Sequence, residues 1–204
     1  MEFKQVVAHR RTIRDFSSKA VPDEIILASL EAGLQAPSYN HLREWDFILV
    51  DDQNTRVALT QTEAMPESIP DDLAASFDDD GRIAREMYLE AIPKQKRMIL
   101  AAPELLIVVY KPKTQVIDSR RIYDLNCLAS VWCCIENILL SLADNNVFGV
   151  TFIPKHTEAV KAILGIPREL EVAALIPFGY KAENSKVIRQ KDIDLKTRIH
   201  DQCW

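Results

Sequence analysis

Glycine is scarce in this chain, which has only five among its 204 residues. Their positions, 33, 81, 149, 165 and 179, form neither GxGxxG nor GxxxxGK[ST]. Rossmann dinucleotide folds and P-loop NTPases need those glycines to bring the backbone against a phosphate. Both classes are therefore excluded, and any phosphate that the protein binds has to be held by side chains.

Cysteine and histidine are also few, with four of each. Cys127, Cys133 and Cys134 fall in an apolar helical run, where cysteine usually acts as a small hydrophobe. No CxxC pair or His-rich set accompanies them, so no metal site is predicted. The N-terminus leads into no apolar signal-peptide region. Free thiols without an export signal indicate a cytoplasmic protein.

Positive charge is in the minority, with 25 Lys and Arg against 30 Asp and Glu and a net charge of −5. The chain has no basic stripe with interleaved aromatic residues, so no nucleic-acid partner is expected. The longest apolar run, residues 125–143, contains Asn126, Glu136 and Asn137. This amphipathic run predicts a buried helix, and no membrane partner is expected.

The length of the chain predicts one domain over residues 1–204. Helical and strand patterns alternate along it, and this alternation predicts a mixed α/β class. Apolar periodicity and Pro, Gly and Asp boundaries predict helices at about 22–36, 54–64, 82–92, 123–144 and 156–164, and strands at about 45–50, 105–110, 150–153 and 172–178. Gly179 and Tyr180 are expected to turn the chain.

Two segments differ from this pattern. Residues 65–81 hold two prolines and five aspartates, Asp71, Asp72, Asp78, Asp79 and Asp80. With the helix that follows, they predict a variable excursion over 65–97, typical of a lid or a partner contact. Residues 181–204 are polar and are expected to form an extended C-terminal segment.

Three arginines and a hydroxyl lie close together near the start, in the sequence HRRTIRDF at residues 9–16. Guanidinium groups match phosphate oxygens bidentately, and a neighbouring hydroxyl adds a donor. Arg10, Arg11, Thr12 and Arg14 are therefore candidate anion ligands, at the opening of a first helical region. The alternative is a solvated helix end with ordinary ion pairs.

Two further motifs follow in order: APSYNHLREWDF at residues 36–47, and ILGIP at 163–167 with EVAALIPFGY at 171–180. Together with the arginine cluster they resemble the FMN-dependent nitroreductase-like superfamily over about residues 7–180. The resemblance implies an α/β (α+β) three-layer fold. Its central sheet would be mixed but mostly antiparallel, flanked by helices, with the extended C-terminal segment outside it.

The resemblance also implies a site. Arg10 and Arg14 would supply charge to the FMN phosphate, Thr12 a hydroxyl contact and Arg11 backbone or side-chain contacts. The segment with Pro37 and Ser38 would come from the other subunit and cover the flavin ring. A homodimer with flavin at the subunit interface is therefore expected.

The second motif departs from the family pattern. Counting back from Trp45, the usual Asn falls on His41, the usual Gln on Arg43 and the usual Pro on Glu44. Arg43 would place positive charge near the flavin or the substrate. His41 is either a flavin neighbour or a surface turn residue.

Two later positions are also implied. Family backbone amides that bind the flavin match Ile153 and Pro154, and proline has no N–H, so only Ile153 is expected to donate. The basic residue that the family supplies from its C-terminal segment matches Arg189 or Lys186. The alternative for Arg189 and Lys186 is that each is a solvated charge with no ligand.

The activity implied is that of an FMN-dependent NAD(P)H oxidoreductase. NADH or NADPH would deliver hydride to bound flavin and leave, and an electron-poor, nitroaromatic- or quinone-like acceptor would then be reduced in a ping-pong cycle. No catalytic side chain is required, because the cofactor carries the chemistry. The alternatives are a specialised flavoenzyme (dehalogenase, azoline oxidase or flavin-fragmenting type), a non-catalytic FMN-binding protein and a helical interaction module.

Overall fold

The computed structural model describes residues 1–78 and 81–204, and this part of the chain alternates helices with strands. The helices are α1 (Phe3–His9), α2 (Asp23–Leu34), α3 (Gln53–Thr60), α4 (Asp71–Ala75), α5 (Arg82–Ala91), α6 (Gln95–Ala101), α7 (Asn126–Asp144) and α8 (Thr157–Leu164). The strands are β1 (Trp45–Leu49), β2 (Glu104–Tyr110), β3 (Val147–Gly149) and β4 (Glu171–Tyr180). The predicted mixed α/β class is confirmed.

The four strands form one sheet in the order β1-β2-β4-β3, and every neighbouring pair is antiparallel. The two central strands, β2 and β4, are buried along almost their whole length. A strand that is covered on both faces has no solvent-exposed face, so polar residues are not favoured on either side. This explains why the sequences of β2 and β4 are apolar without interruption.

Helices cover both faces of the sheet and make three layers. Residues of α2 and α7, such as Ile26, Ile135 and Ile138, share one core cluster with Leu106 and Val108 of β2. The opposite cluster joins the alternate β2 residues to α3, α6 and α8 through Leu59, Ile99 and Val160. The residues of β2 alternate between the two clusters because successive strand side chains point to opposite faces.

The predicted long helix forms as α7, preceded by a 3-10 turn at Ile122–Leu125. The span Ile122–Asp144 is long and apolar enough to cross a membrane by length and composition alone. Its buried residues, among them Val131, Ile135 and Leu142, belong to the core cluster shared with α2 and the sheet. One side of α7 therefore packs in the core, and 28% of its most apolar 18-residue window is buried.

The strand predicted at 150–153 is wrong in position. Pairing begins earlier, at Val147, because Asn146 has a φ of +58° and reverses the chain immediately after α7. Beyond Gly149 the contact with β4 continues as a hydrogen bond from the Val150 N–H to the Pro177 carbonyl at 3.3 Å and an isolated bridge from Phe152 to Leu175.

The turn predicted at Gly179 and Tyr180 is also wrong, because both residues lie inside β4 and pair with β3. Gly179 is required there by a close approach, since a Cβ would lie 2.7 Å from Pro103 Cδ.

The arginine segment does not open a helix; it follows one. Helix α1 ends at His9, and Arg10 caps it with an extended backbone. Residues 10–15 then run beside β3, where Thr12 forms a parallel bridge with Gly149. Buried Ile13, only 1% exposed, anchors this segment; Arg11 is exposed, whereas Arg10 and Arg14 are partly buried.

The described part of the acidic excursion includes the short helix α4, and the predicted helix over 82–92 appears as α5. Asp79 and Asp80 lie outside the described residues. The C-terminal segment 181–204 is largely irregular and exposed, with one 3-10 turn at Leu195–Arg198.

Candidate functional site

A cleft of about 680 Å³ lies where residues 10–14, the start of α5 and residues 187–191 meet, and we call it the arginine cleft. Its volume is within the range of about 300–1,000 Å³ that small-molecule sites occupy. Its cationic lining consists of Arg10, Arg11, Arg14, Arg82, Arg189 and Lys191. Its apolar lining consists of Ile83, Ala84, Met87, Val187 and Ile188. Among the described residues no Asp or Glu lines it.

Three of the cations in the arginine cleft are paired with carboxylates that do not belong to its lining. The Arg10 Nε lies 3.2 Å from Glu136 Oε1 of α7. The Arg14 Nη1 donates to Glu90 Oε2 of α5 at 3.1 Å. The Arg189 Nη2 donates to Asp192 at 2.6 Å. The Arg14–Glu90 pair is largely buried and orients the Arg14 guanidinium group, so less side-chain entropy is lost when that group binds an anion. The Arg189–Asp192 pair is exposed and holds its guanidinium group only weakly.

The Arg14 pair belongs to a larger network that ties α5 and α6 to the arginine segment. Lys94 donates to both Glu90 and Asp15, and Asp15 also accepts from Arg97. Burial lowers the pKa of Lys94, but its hydrogen bonds to Asp15 and Glu90 outweigh this and raise that pKa above its ordinary value. The Lys94 ammonium therefore stays protonated at neutral pH.

The other three cations in the arginine cleft, Arg11, Arg82 and Lys191, have no carboxylate oxygen within 4.0 Å among residues 1–78 and 81–204. Arg11 is exposed, and its Nη1 donates to the neighbouring Arg10 carbonyl at 2.7 Å. Arg11 also lines two adjoining cavities of about 180 and 450 Å³. This side chain is placed to turn toward a ligand from either side.

The second predicted group, Pro37, Ser38, His41 and Arg43, lies in the loop between α2 and β1 and does not line the arginine cleft. Ser38 Oγ accepts the Arg43 backbone N–H at 3.1 Å. Asn40, His41 and Arg43 all have left-handed backbones, with φ of 51°, 58° and 50°. Such strain in non-glycine residues is concentrated at functional sites.

A tyrosine pair adjoins this loop, and the sequence patterns did not reveal it. The hydroxyls of Tyr39 and Tyr123 are 2.7 Å apart, and the Lys113 ammonium lies 3.7 Å from the Tyr123 ring centroid. Hydrogen bonds from Tyr39 and then Lys113 lower the pKa of Tyr123 below its ordinary value. Tyr39 and Tyr123 are 84 positions apart, so no local spacing predicted their contact.

The remaining predicted residues divide between the arginine cleft and other surfaces. Ile153 is 60% exposed and does not line the arginine cleft. Lys186 pairs with Glu86 of α5 at 2.9 Å and lies outside the cleft lining, whereas Arg189 is part of it. Of the two C-terminal candidates, Arg189 is the one that the fold brings to the arginine segment.

The four cysteines differ in exposure: Cys134 is buried, whereas Cys133 and Cys203 are exposed. All four cysteines are free thiols, and burial raises the pKa of Cys134 to about 12. A thiol with so high a pKa carries almost no thiolate at neutral pH. Within the described ranges no three His, Cys, Asp or Glu side chains come together as a metal-binding group. What the cleft offers instead is positive charge beside an apolar wall.

Comparison with known proteins bears on this site. A family model described as the Nitroreductase family matches residues 7–180. The chain is 26% identical to an iodotyrosine deiodinase from Haliscomenobacter hydrossis over 197 residues, 94% of this chain and 85% of that protein. It is 25% identical to a putative NADH dehydrogenase/NAD(P)H nitroreductase from Archaeoglobus fulgidus over 207 residues, 100% of this chain and 99% of that protein.

The fold also resembles a solved structure. A crystal structure of oxidized iodotyrosine deiodinase bound to FMN and 3-iodo-L-tyrosine aligns with a TM-score of 0.73. The two chains are 21% identical, and the match covers 94% of this chain and 96% of the other. The three-layer arrangement is therefore shared at low sequence identity.

Proposed function

The chain belongs to the nitroreductase family, and from that premise we propose that it is an FMN-dependent NAD(P)H oxidoreductase. Its acceptor would be a small electron-poor molecule of nitroaromatic or quinone type. The observation that carries the proposal is the arginine cleft, with six cationic side chains beside an apolar wall and no acidic lining among the described residues.

The donor set of the cleft fits the phosphate end of FMN. A phosphate monoester carries about −1.5 to −2 charges at neutral pH and accepts charge-assisted hydrogen bonds. Arg10, Arg14 and Arg189 each pair with a carboxylate, and Arg11 and Thr12 line the same cleft. We assign these five residues to the FMN phosphate and its polar chain.

We propose that the apolar residues of the cleft contact the ring of the bound flavin. Ile83, Ala84 and Met87 of α5 form a wall that would exclude water from a bound ring. FMN, when bound, supplies the hydride-transfer chemistry, and the protein supplies binding, orientation and exclusion of water. Accordingly, no side chain is assigned a nucleophilic or acid–base role.

The proposal includes a homodimer in which each flavin site is completed by the partner. Pro37, Ser38, His41 and Arg43 lie apart from the arginine cleft of their own chain, which supports their delivery to the site of a second copy. Ile153, exposed and flanked by Pro154, would offer its backbone N–H to the flavin. We also place the protein in the cytoplasm, because its four free thiols suit a reducing compartment.

A specialised flavoenzyme of dehalogenase type is the second candidate. The similarity to an iodotyrosine deiodinase over 94% of this chain favours it. Reductive loss of iodide from 3-iodo-L-tyrosine by the reduced protein, without turnover of nitroaromatic or quinone acceptors, would select this candidate. A flavin that no nicotinamide reduces, with no turnover of any acceptor, would indicate a non-catalytic FMN-binding protein.

The visible absorbance spectrum of the purified protein tests the proposal directly. We expect flavin bands that bleach on anaerobic addition of NADPH or NADH and return when a quinone is added. Bands that persist with both nicotinamides contradict the oxidoreductase. A colourless protein that takes up no added FMN contradicts the cofactor assignment itself.

A further inference from the structure

Helix α5 lines the arginine cleft but has little packing in the core. Ile83 and Met87 belong to the apolar wall of the cleft, and Ala91 is the one buried residue of this ten-residue helix. Tyr88 stacks on Phe77, which belongs to the acidic excursion. A helix with so little buried surface gains little stability from packing, so its position depends strongly on its polar contacts.

Two residues of α5 contact the guanidinium group of Arg14. The Arg14 Nη1 donates to Glu90 Oε2 at 3.1 Å, and the Arg14 Nη2 lies 4.0 Å from Met87 Sδ. Met87 and Glu90 are three positions apart in the helix and are therefore neighbours on its surface. One guanidinium group thus contacts both a residue of the apolar wall and the carboxylate beside that wall.

Glu90 is also held by a second cation. Its side chain is only 7% exposed, and its Oε1 accepts a hydrogen bond from Lys94. Lys94 also donates to Asp15, the residue that follows Arg14. A buried carboxylate depends on its partners, because a buried charge without a partner is strongly destabilising. Glu90 therefore connects α5 to the arginine segment directly through Arg14 and indirectly through Lys94.

The other ion pairs that α5 makes with described residues lie at the surface. Glu86 pairs with Lys186, and Arg85 pairs with Asp78, and all four side chains are exposed to solvent. Exposed ion pairs contribute little to stability. Among the described residues, Glu90 is thus the main charged attachment of α5 to the arginine segment.

From these contacts we propose that Glu90 is a positioning residue of the flavin site and that it acts through Arg14. It holds the Arg14 guanidinium group in the cleft and at the same time fixes the apolar wall of α5 relative to that group. The inference rests on the proposed function, and it adds how the phosphate end and the ring end of the cleft are kept in register. Binding of FMN should accordingly stabilise α5, because one guanidinium group contacts both the ligand and the helix.

The dissociation constant of FMN, measured by quenching of its fluorescence, tests this role. Glu90→Gln removes the charge and keeps the shape of the side chain, whereas Glu90→Asp keeps the charge and withdraws the carboxylate by one methylene. Glu86→Gln is the matched control, since Glu86 lies one turn earlier on the same helix, pairs with Lys186 and does not line the cleft. Far-ultraviolet circular dichroism checks the fold of each variant.

We expect Glu90→Gln to weaken FMN binding by about tenfold, the loss typical of one charge-assisted hydrogen bond. Glu90→Asp should weaken it by about threefold or more through misplacement of Arg14, and Glu86→Gln should leave it unchanged. The direction is informative, because removing a negative charge near a phosphate would strengthen binding by Coulomb attraction alone. If Glu90→Gln does not fold, Glu90→Asp provides the same test.

A double-mutant cycle and hydrogen exchange separate positioning from a general effect on folding. In an Arg14→Ala background, Glu90→Gln should no longer alter FMN affinity, because the residue through which it acts is gone. In the wild-type protein, FMN should slow amide exchange in α5, and in Glu90→Gln it should slow this exchange less.

Two results would overturn the proposal. Unchanged or tighter FMN binding in the folded Glu90 variants would show that Arg14 does not depend on Glu90. An equal loss of affinity with and without Arg14 would show that Glu90 acts on the helix and not through Arg14. A wild-type protein that holds no FMN fails earlier, in the absorbance experiment, so the two proposals fail separately.

Discussion

Arg10 and Arg14 each pair with a carboxylate, and the proposed function also assigns both to the FMN phosphate, so their removal would affect two kinds of contact. Arg14 pairs with Glu90, whose side chain is only 7% exposed, while Arg10 pairs with the half-exposed Glu136. Loss of Arg14 leaves Glu90 with Lys94 alone, so part of its effect falls on the attachment of α5. Binding and folding therefore have to be measured together.

Replacing Arg10 and Arg14 together with alanine should weaken FMN binding by about a hundredfold or more, because each charge-assisted hydrogen bond contributes about 1.5–3 kcal/mol. Quenching of FMN fluorescence measures the affinity, and far-ultraviolet circular dichroism checks the fold. Arg85→Ala, an arginine outside the cleft, is the control and should bind normally. Native affinity in a folded double variant would refute the phosphate assignment.

At the scale of elements, α2 and α7 approach closely at Gly33. A Cβ on this residue would lie 2.7 Å from Ile138 Cγ1 and 3.0 Å from Cys134 Sγ, both on α7. The glycine therefore sets how tightly the two helices pack over the sheet. Alanine there would have to displace branched side chains in a core that has no spare volume.

We expect Gly33→Ala to lower the free energy of unfolding by about 1–3 kcal/mol through overpacking. The sign of the change in the free energy of unfolding is informative, because replacing glycine by alanine within a helix ordinarily stabilises a protein by about 0.5–1 kcal/mol. Urea denaturation measures the change. Glu31→Ala on the exposed side of α2 is the control, and it should change stability little. Stabilisation by Gly33→Ala would show that the helices are not in such close contact.

The wrongly placed β3 shows why short elements resist prediction. A three-residue strand is too short to display a period, and the residues that pair it, Gly179 and Tyr180, have the composition of a turn. The longer β2, α2 and α7 carry enough apolar positions to reveal their period, and all three form where they are predicted, within a few residues.

At the scale of the whole molecule, the proposed flavin site needs two chains. The loop with Ser38 and His41 lies away from the arginine cleft, and exposed apolar residues adjoin it: Leu42 is 57% and Ile122 88% exposed. A surface of this kind suits burial against another protein. A second copy of the chain is the partner that the proposed function requires.

Sedimentation velocity should therefore give a dimer, and Ile122→Glu should weaken it because burying an unpaired carboxylate opposes association. Val57→Glu places the same charge on a half-exposed residue of α3 and is the control, which should leave the dimer intact. A stable monomer that retains FMN would contradict the shared site. A dimer unaffected by Ile122→Glu would place the interface elsewhere.

The arginine cluster and the family were predictable from sequence, because their signals are local: residues 9–16 and 36–47 are contiguous, and the fold class follows from apolar periodicity. Only the tertiary structure shows which cationic side chains line the same cleft. Arg14, Arg82 and Lys191 come from separate segments, and the antiparallel sheet with its covering helices brings those segments together. The sequence gives the number and the order of the charged residues, but the distance between two of them depends on how the chain between them folds.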